Sequence, residues 1–180
     1  MVKDFLVGLL ILASGCGTLI GSSGPVDEKS DSYDVADLSK ESSEWVRLEQ
    51  KKDGTPSTAV SDVSYQSKAN SSVIFINSAC RPSSKPFGKS VEEDLRSLTN
   101  PLFMGASEVT ARVEKDVVVQ GAPALQTTFS GRIGGERVMI RAVVFRLKTC
   151  VYQLVYTARP QTFEAREKTF GHFVSSFRGT

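Results

Sequence analysis

Val138-Met-Ile-Arg-Ala-Val-Val-Phe-Arg-Leu147, followed after Lys148 and Thr149 by Cys150-Val-Tyr-Gln-Leu-Val-Tyr156, decides the fold. Both runs are rich in β-branched and aromatic residues, which suit a pleated surface. Both are apolar at odd and even positions alike, and a strand apolar on both sides must be covered on both sides. They therefore predict two inner strands of a sheet with a layer packed on each face. Just upstream, Leu125, Thr127 and Phe129 alternate with Gln126 and Thr128. Before them, Val109, Ala111 and Val113 alternate with Thr110, Arg112 and Glu114, again the period of a strand. Gly134-Gly135 suits a tight hairpin turn. Downstream, Arg159-Pro160 opens a helix on which Phe163, Phe170, Phe173, Val174 and Phe177 lie near one face, an aromatic stripe for docking on the sheet.

Further out, Glu44 to Glu49 reads as a first strand. Val63 and Tyr65 alternate with Ser64 and Gln66, a polar turn spans Lys68 to Ser72, and Val73-Ile-Phe-Ile76 completes a hairpin. Ser90-Val-Glu-Glu93 has the form of a capping box. Val91, Leu95 and Leu98 then form one helical stripe that Asn100-Pro101 stops. The expected order is three strands, helix, four strands, helix. The fold class is α+β: an antiparallel sheet with a central meander and helices packed on its faces. Residues 44–180 suffice for one core and are too few for two.

This order resembles the Mog1/PsbP/DcrB-like α/β sandwich family over roughly Trp45 to Arg178. The resemblance rests on the Trp-led first strand, the helix Val91–Thr99, the run Arg141-Ala-Val-Val-Phe-Arg146 into Val151–Thr157, and the Phe-rich close at Ser175-Ser176-Phe177-Arg178. These are fold-level features without a chemical motif. The resemblance implies a non-catalytic accessory or scaffold protein, as in several bacterial envelope lipoproteins.

The N-terminus sets the expected address. Lys3 precedes the apolar run Phe5–Leu12, too short to cross a bilayer core of about 20 apolar residues and suited to a signal peptide. Ala13-Ser14-Gly15-Cys16 resembles a lipobox, with Ala13 where the pattern prefers Leu. Residues 1–15 are thus expected to be removed and Cys16 lipidated; plain secretion and an uncleaved anchor are the alternatives. Two acyl chains suffice for stable anchoring, each buried CH₂ contributing about 0.8 kcal/mol. Gly17, not Asp, follows the cysteine, so the resemblance implies the outer membrane, facing the periplasm, in a Gram-negative host. Residues 16–43, rich in Gly, Ser and Asp, are expected to form a flexible linker. Charge divides at this boundary. The linker has six acids and two bases (−4), while residues 44–180 have 19 bases and 13 acids (+6). The basic domain favours an acidic partner or surface, unless the charge simply keeps it solvated.

Chemistry-bearing patterns are sparse. Cys80 and Cys150 are expected to form a disulfide in an oxidising envelope; two buried free thiols are the alternative. Gly88-Lys89-Ser90 sits where a phosphate loop would, but Ser83 replaces the required earlier Gly, and Pro82 and Pro86 remove amides. It reads as a helix start. His172, the single histidine, reads as a surface or half-buried packing residue on the last helix, so no metal or triad chemistry is expected from it. Glu92-Glu93-Asp94 fit the positive end of a helix. Arg132, Arg137, Arg141 and Arg146 differ in parity and are not expected to form one stripe, and nucleic acid is not an expected partner. No cofactor, metal or catalytic residue is expected. The leading reading is a membrane-anchored, non-catalytic scaffold with an envelope protein partner. The alternative is a carrier or sensor of an apolar ligand such as a lipid, motivated by ten Phe and the two-sided sheet.

Overall fold

The computed structural model describes residues 33–48, 61–80, 91–103 and 106–179, with the backbone alone for 91–94, 101 and 103. The elements are β1 (Tyr33–Asp34), α1 (Leu38–Glu41), β2 (Trp45–Arg47), β3 (Val63–Ser67), β4 (Val73–Cys80), α2 (Val91–Thr99), β5 (Ser107–Val119), β6 (Ala122–Ile133), β7 (Glu136–Leu147), β8 (Cys150–Ala158), α3 (Pro160–Phe163), α4 (Glu167–Ser176) and β9 (Arg178–Gly179). The main sheet runs β2-β3-β4-β8-β7-β6-β5, with every neighbouring pair antiparallel. The expected strand and helix order is present, and the α+β class holds. The meander is split, however: β2–β4 and β5–β8 are two antiparallel runs joined where β4 pairs with β8, and the chain between them contains α2.

Both faces of the inner strands are covered, as their two-sided pattern requires. Cys150, Tyr152, Leu154, Tyr156 and Ala158 of β8 pack with Phe163, Phe170, Phe173 and Phe177. On the opposite face, Val151 packs with Leu95 of α2, Leu125 and Val144, while Val155 packs with Phe129, Ile140 and Ala142. The four C-terminal phenylalanines are each at most 2% exposed. Fully burying such a side chain contributes about 1.5–3 kcal/mol, so this stripe dominates the docking of the C-terminal segment. The expected single helix is nevertheless broken by a 3-10 turn at Glu164–Arg166. There the Tyr156 hydroxyl donates to the Phe163 carbonyl at 2.8 Å, and burial pushes that hydroxyl's pKa up to about 12. Gly134 and Gly135 form the β6–β7 turn with φ of 57° and 85°, the left-handed pair a two-residue hairpin needs.

The N-terminal boundary differs from expectation. Residues 33–43, read as part of the linker, are packed onto the domain. β1 pairs antiparallel with β9, Leu38 is 1% exposed in the main core, and Asp37 caps α1 by accepting from the Ser39 amide at 3.1 Å. The cause is three apolar residues, Tyr33, Val35 and Leu38, set among polar ones. They lack a regular period, but Tyr33 packs on Phe177 and Tyr152, and Val35 and Leu38 join the main core cluster. The expected signal peptide, Cys16 and the rest of the expected linker, up to residue 32, lie outside the described residues.

Candidate functional site

The outer part of the sheet is its least covered region. Every residue of β5 from Ser107 to Asp116 is exposed. Val113 is 64% and Val118 72% exposed. The register of β6 with β7 places Arg132 opposite Arg137 and Thr128 opposite Arg141, while Arg146 is opposite Val151. Opposed residues share a face, so Arg132, Arg137 and Arg141 lie on the α4 side of the sheet and Arg146 on the other. The four arginines therefore do not form one stripe, as expected, but Arg132 groups with Arg137 and Arg141 and not with Arg146. Parity within a strand is fixed by its own numbering, but parity between strands depends on the turn joining them. Lys115, opposite Gln126, joins the same face.

The cations differ in their freedom. Arg141 donates to Thr128 Oγ1 at 2.9 Å, pairs with Glu167, and lies 5.2 Å from the Phe163 ring centroid. It fastens the C-terminal helices to the sheet. Arg132 donates to Glu108 at 2.8 Å and to the Gly135 carbonyl at 2.7 Å. Lys115 and Arg137 form no ion pair among the described residues, and both are exposed.

A groove of about 560 Å³ runs between α4 and strands β5–β7. Val117, Val119 and Val143 line its apolar side, with Phe170 and Val174 across from them. Lys115, Gln126, Arg141 and Glu167 supply polar groups. Gly171 also lines it and faces open space. The sequence offers no local signal for this groove, because its walls lie far apart along the chain.

Other singled-out residues are dispersed. Cys80 lies directly opposite Cys150 in the β4–β8 pairing, with Cα atoms 4.0 Å apart and the sulfurs joined in a disulfide. His172 is exposed and contacts Glu41 of α1 at 3.0 Å, helping to hold the N-terminal segment to α4. Gly88-Lys89-Ser90 and the side chains of Glu92, Glu93 and Asp94 lie outside the described residues. Among the described residues, no three His, Cys, Asp or Glu are grouped to hold a metal ion, and no helix is long and apolar enough to cross a membrane.

The fold is that of a PsbP-like α+β sandwich, carrying an exposed sheet wing and a shallow groove. Among solved structures, the chain is similar to LpqN of Mycobacterium tuberculosis, involved in cell envelope biogenesis, with a TM-score of 0.60 at 11% identity over 87% of each chain. It is also similar to cyanobacterial PsbP (CyanoP) from Synechocystis sp. PCC 6803, with a TM-score of 0.51 at 16% identity over 88% of this chain and 98% of that one. No family model and no curated protein sequence matches the chain.

Proposed function

We propose that this chain is a lipoprotein of the cell envelope, anchored through Cys16, whose domain serves as a non-catalytic accessory or scaffold module. The observation that carries the reading is the sheet wing: ten consecutive residues of β5, Ser107–Asp116, are exposed beside a cationic face. Such a surface suits docking, because an unpaired edge offers backbone hydrogen bonds and the adjoining cations favour an acidic partner. The sandwich shared with LpqN, a protein involved in cell envelope biogenesis, supports an envelope role. The lipobox-like Ala13-Ser14-Gly15-Cys16 supports the anchor. Crosslinking in membranes followed by affinity capture tests the docking. A specific envelope protein lost on Lys115→Glu/Arg137→Glu substitution supports it, and recovery of no specific protein opposes it. Intact mass tests the anchor separately: cleavage before Cys16 plus acyl chains supports it, and an unlipidated mature chain opposes it.

The groove favours a second reading, the binding of an apolar ligand. The phenylalanine load no longer argues for this, since Phe163, Phe170, Phe173 and Phe177 are core. What remains is the valine-lined groove beside Phe170, with polar groups from Lys115, Gln126 and Arg141. Native mass spectrometry of the membrane-extracted protein tests it. A bound amphiphile displaced by Gly171→Phe supports this reading, and a ligand-free mass opposes it.

A further inference from the structure

The edge strand β5 is complementary to itself. It ends the main sheet, and among the described residues nothing pairs with its outer side. The opposite edge, β2, has only three residues, whereas β5 has thirteen and is regularly paired with β6 from Ala111 to Val119. A long regular edge is an open template for another strand. We propose that a second copy of this chain occupies it, β5 pairing antiparallel with β5 about a two-fold axis at Val113. This deepens the scaffold reading by naming the partner of the edge, and it leaves the cationic face free.

Charge, together with the bulge between Ser107 and Ala111, selects this register. In a two-fold antiparallel pairing, the residue on the axis meets itself, and its neighbours on either side meet each other. A centre on Arg112, Glu114, Lys115 or Asp116 sets like charges face to face, which is destabilising. A centre on Val113 sets valine against valine and Arg112 against Glu114 of the second copy, twice by symmetry. Ala111 then meets Lys115. A centre on Val117 sets Asp116 against Val118 and Lys115 against Val119, with no opposite-charge pair. The Val113 register also covers a side chain that is otherwise 64% exposed. Within one chain, Glu114 already accepts from Arg112 at 2.6 Å and from Arg96 at 3.1 Å. Pairing would extend this into a network alternating in sign across the two-fold axis. The bulge between Ser107 and Ala111 confines regular pairing to the segment around Val113, so a weak, concentration-dependent dimer is expected.

Cysteine trapping in the full chain, in a Cys16→Ser background, tests the register. Under mild oxidation, Val113→Cys should yield a covalent dimer on non-reducing gels. Val118→Cys should not, because its two copies would lie about 34 Å apart at about 3.4 Å per residue. No dimer from Val113→Cys, or equal trapping of both variants, would overturn the proposal. Sedimentation equilibrium of the same background, with native Val113, should show mass rising towards a dimer with concentration. Val113→Lys should weaken that association several-fold, while Arg112→Glu/Glu114→Arg should retain it. A strictly monomeric chain, or a dimer indifferent to Val113→Lys, would also overturn it. None of these outcomes depends on lipidation or on capture of an envelope partner, so failure here is distinct from failure of the scaffold reading.

Discussion

Tyr33 packs its ring on Phe177, with centroids 5.8 Å apart, and meets Tyr152 edge-on at 5.5 Å. Its hydroxyl donates to Asp62 at 3.0 Å, and Ser78 donates to the same carboxylate oxygen. Tyr33→Phe keeps the packing and removes the bond, so chemical denaturation should show a loss of about 0.5–1.5 kcal/mol. No loss would mean that the bond contributes nothing net. The Asp62 carboxyl is held above its ordinary value of 3.8, because loss of hydration outweighs the bonds from Ser78 and Tyr33. A raised carboxyl favours the folded state most below the unfolded value and loses that contribution as pH rises through the folded value. The stability of Asp62→Asn relative to the native chain should therefore increase as pH rises above about 3.8, by a small amount because Asp62 as a whole is exposed. Denaturation midpoints measured across that window check the sign, and a difference that falls with pH would contradict it.

At the scale of elements, β1 and α1 behave as part of the domain. Leu38 sits in the main core, the Ala36 amide donates to Ser176 Oγ at 2.8 Å, and His172 contacts Glu41. A chain beginning at residue 44, the boundary expected from composition, should be less stable than one beginning at residue 33 by at least about 2–5 kcal/mol, the cost of vacating one buried leucine site. Urea midpoints compare the two directly, and equal midpoints would return residues 33–43 to the linker. The elements themselves were largely legible. The glycine pair marked the β6–β7 turn, and two-sided apolarity marked β7 and β8 as inner strands. The break between α3 and α4 was not legible, since the 3-10 turn at Glu164–Arg166 interrupts a segment whose apolar stripe reads as one continuous helix. β5 was legible as a strand, but its apolar row at Val109, Ala111 and Val113 gave no hint that it faces solvent. Alternation reveals a strand's two faces without saying which is covered.

For the molecule as a whole, the β4–β8 pairing joins the two antiparallel runs into one sheet. The Cys80–Cys150 disulfide lies at one end of that junction and closes a separation of 70 residues. A loop of that size contributes up to about 4 kcal/mol through restriction of the unfolded chain. The Cys80→Ala/Cys150→Ala variant should unfold at markedly lower denaturant, with a loss of about 2–4 kcal/mol. An unchanged midpoint would show that the bridge does not restrain the unfolded state. Because the inner strands are covered by helical layers on both sides, the variant should keep its fold.

The sequence by itself determined the order of the seven main-sheet strands and of the helical segments that follow β4 and β8, the two inner strands and the aromatic docking stripe. Each follows from local periodicity and turn chemistry, which neighbouring residues carry between them. It also carried the lipobox-like start from which the membrane address is proposed. Only the tertiary structure decided that β4 meets β8, that residues 33–43 pack onto the domain with Leu38 in the core, that three arginines share a face, and that β5 is left open. Those outcomes depend on register and on contacts between residues far apart in the chain, where the energy belongs to pairs and no single segment encodes it.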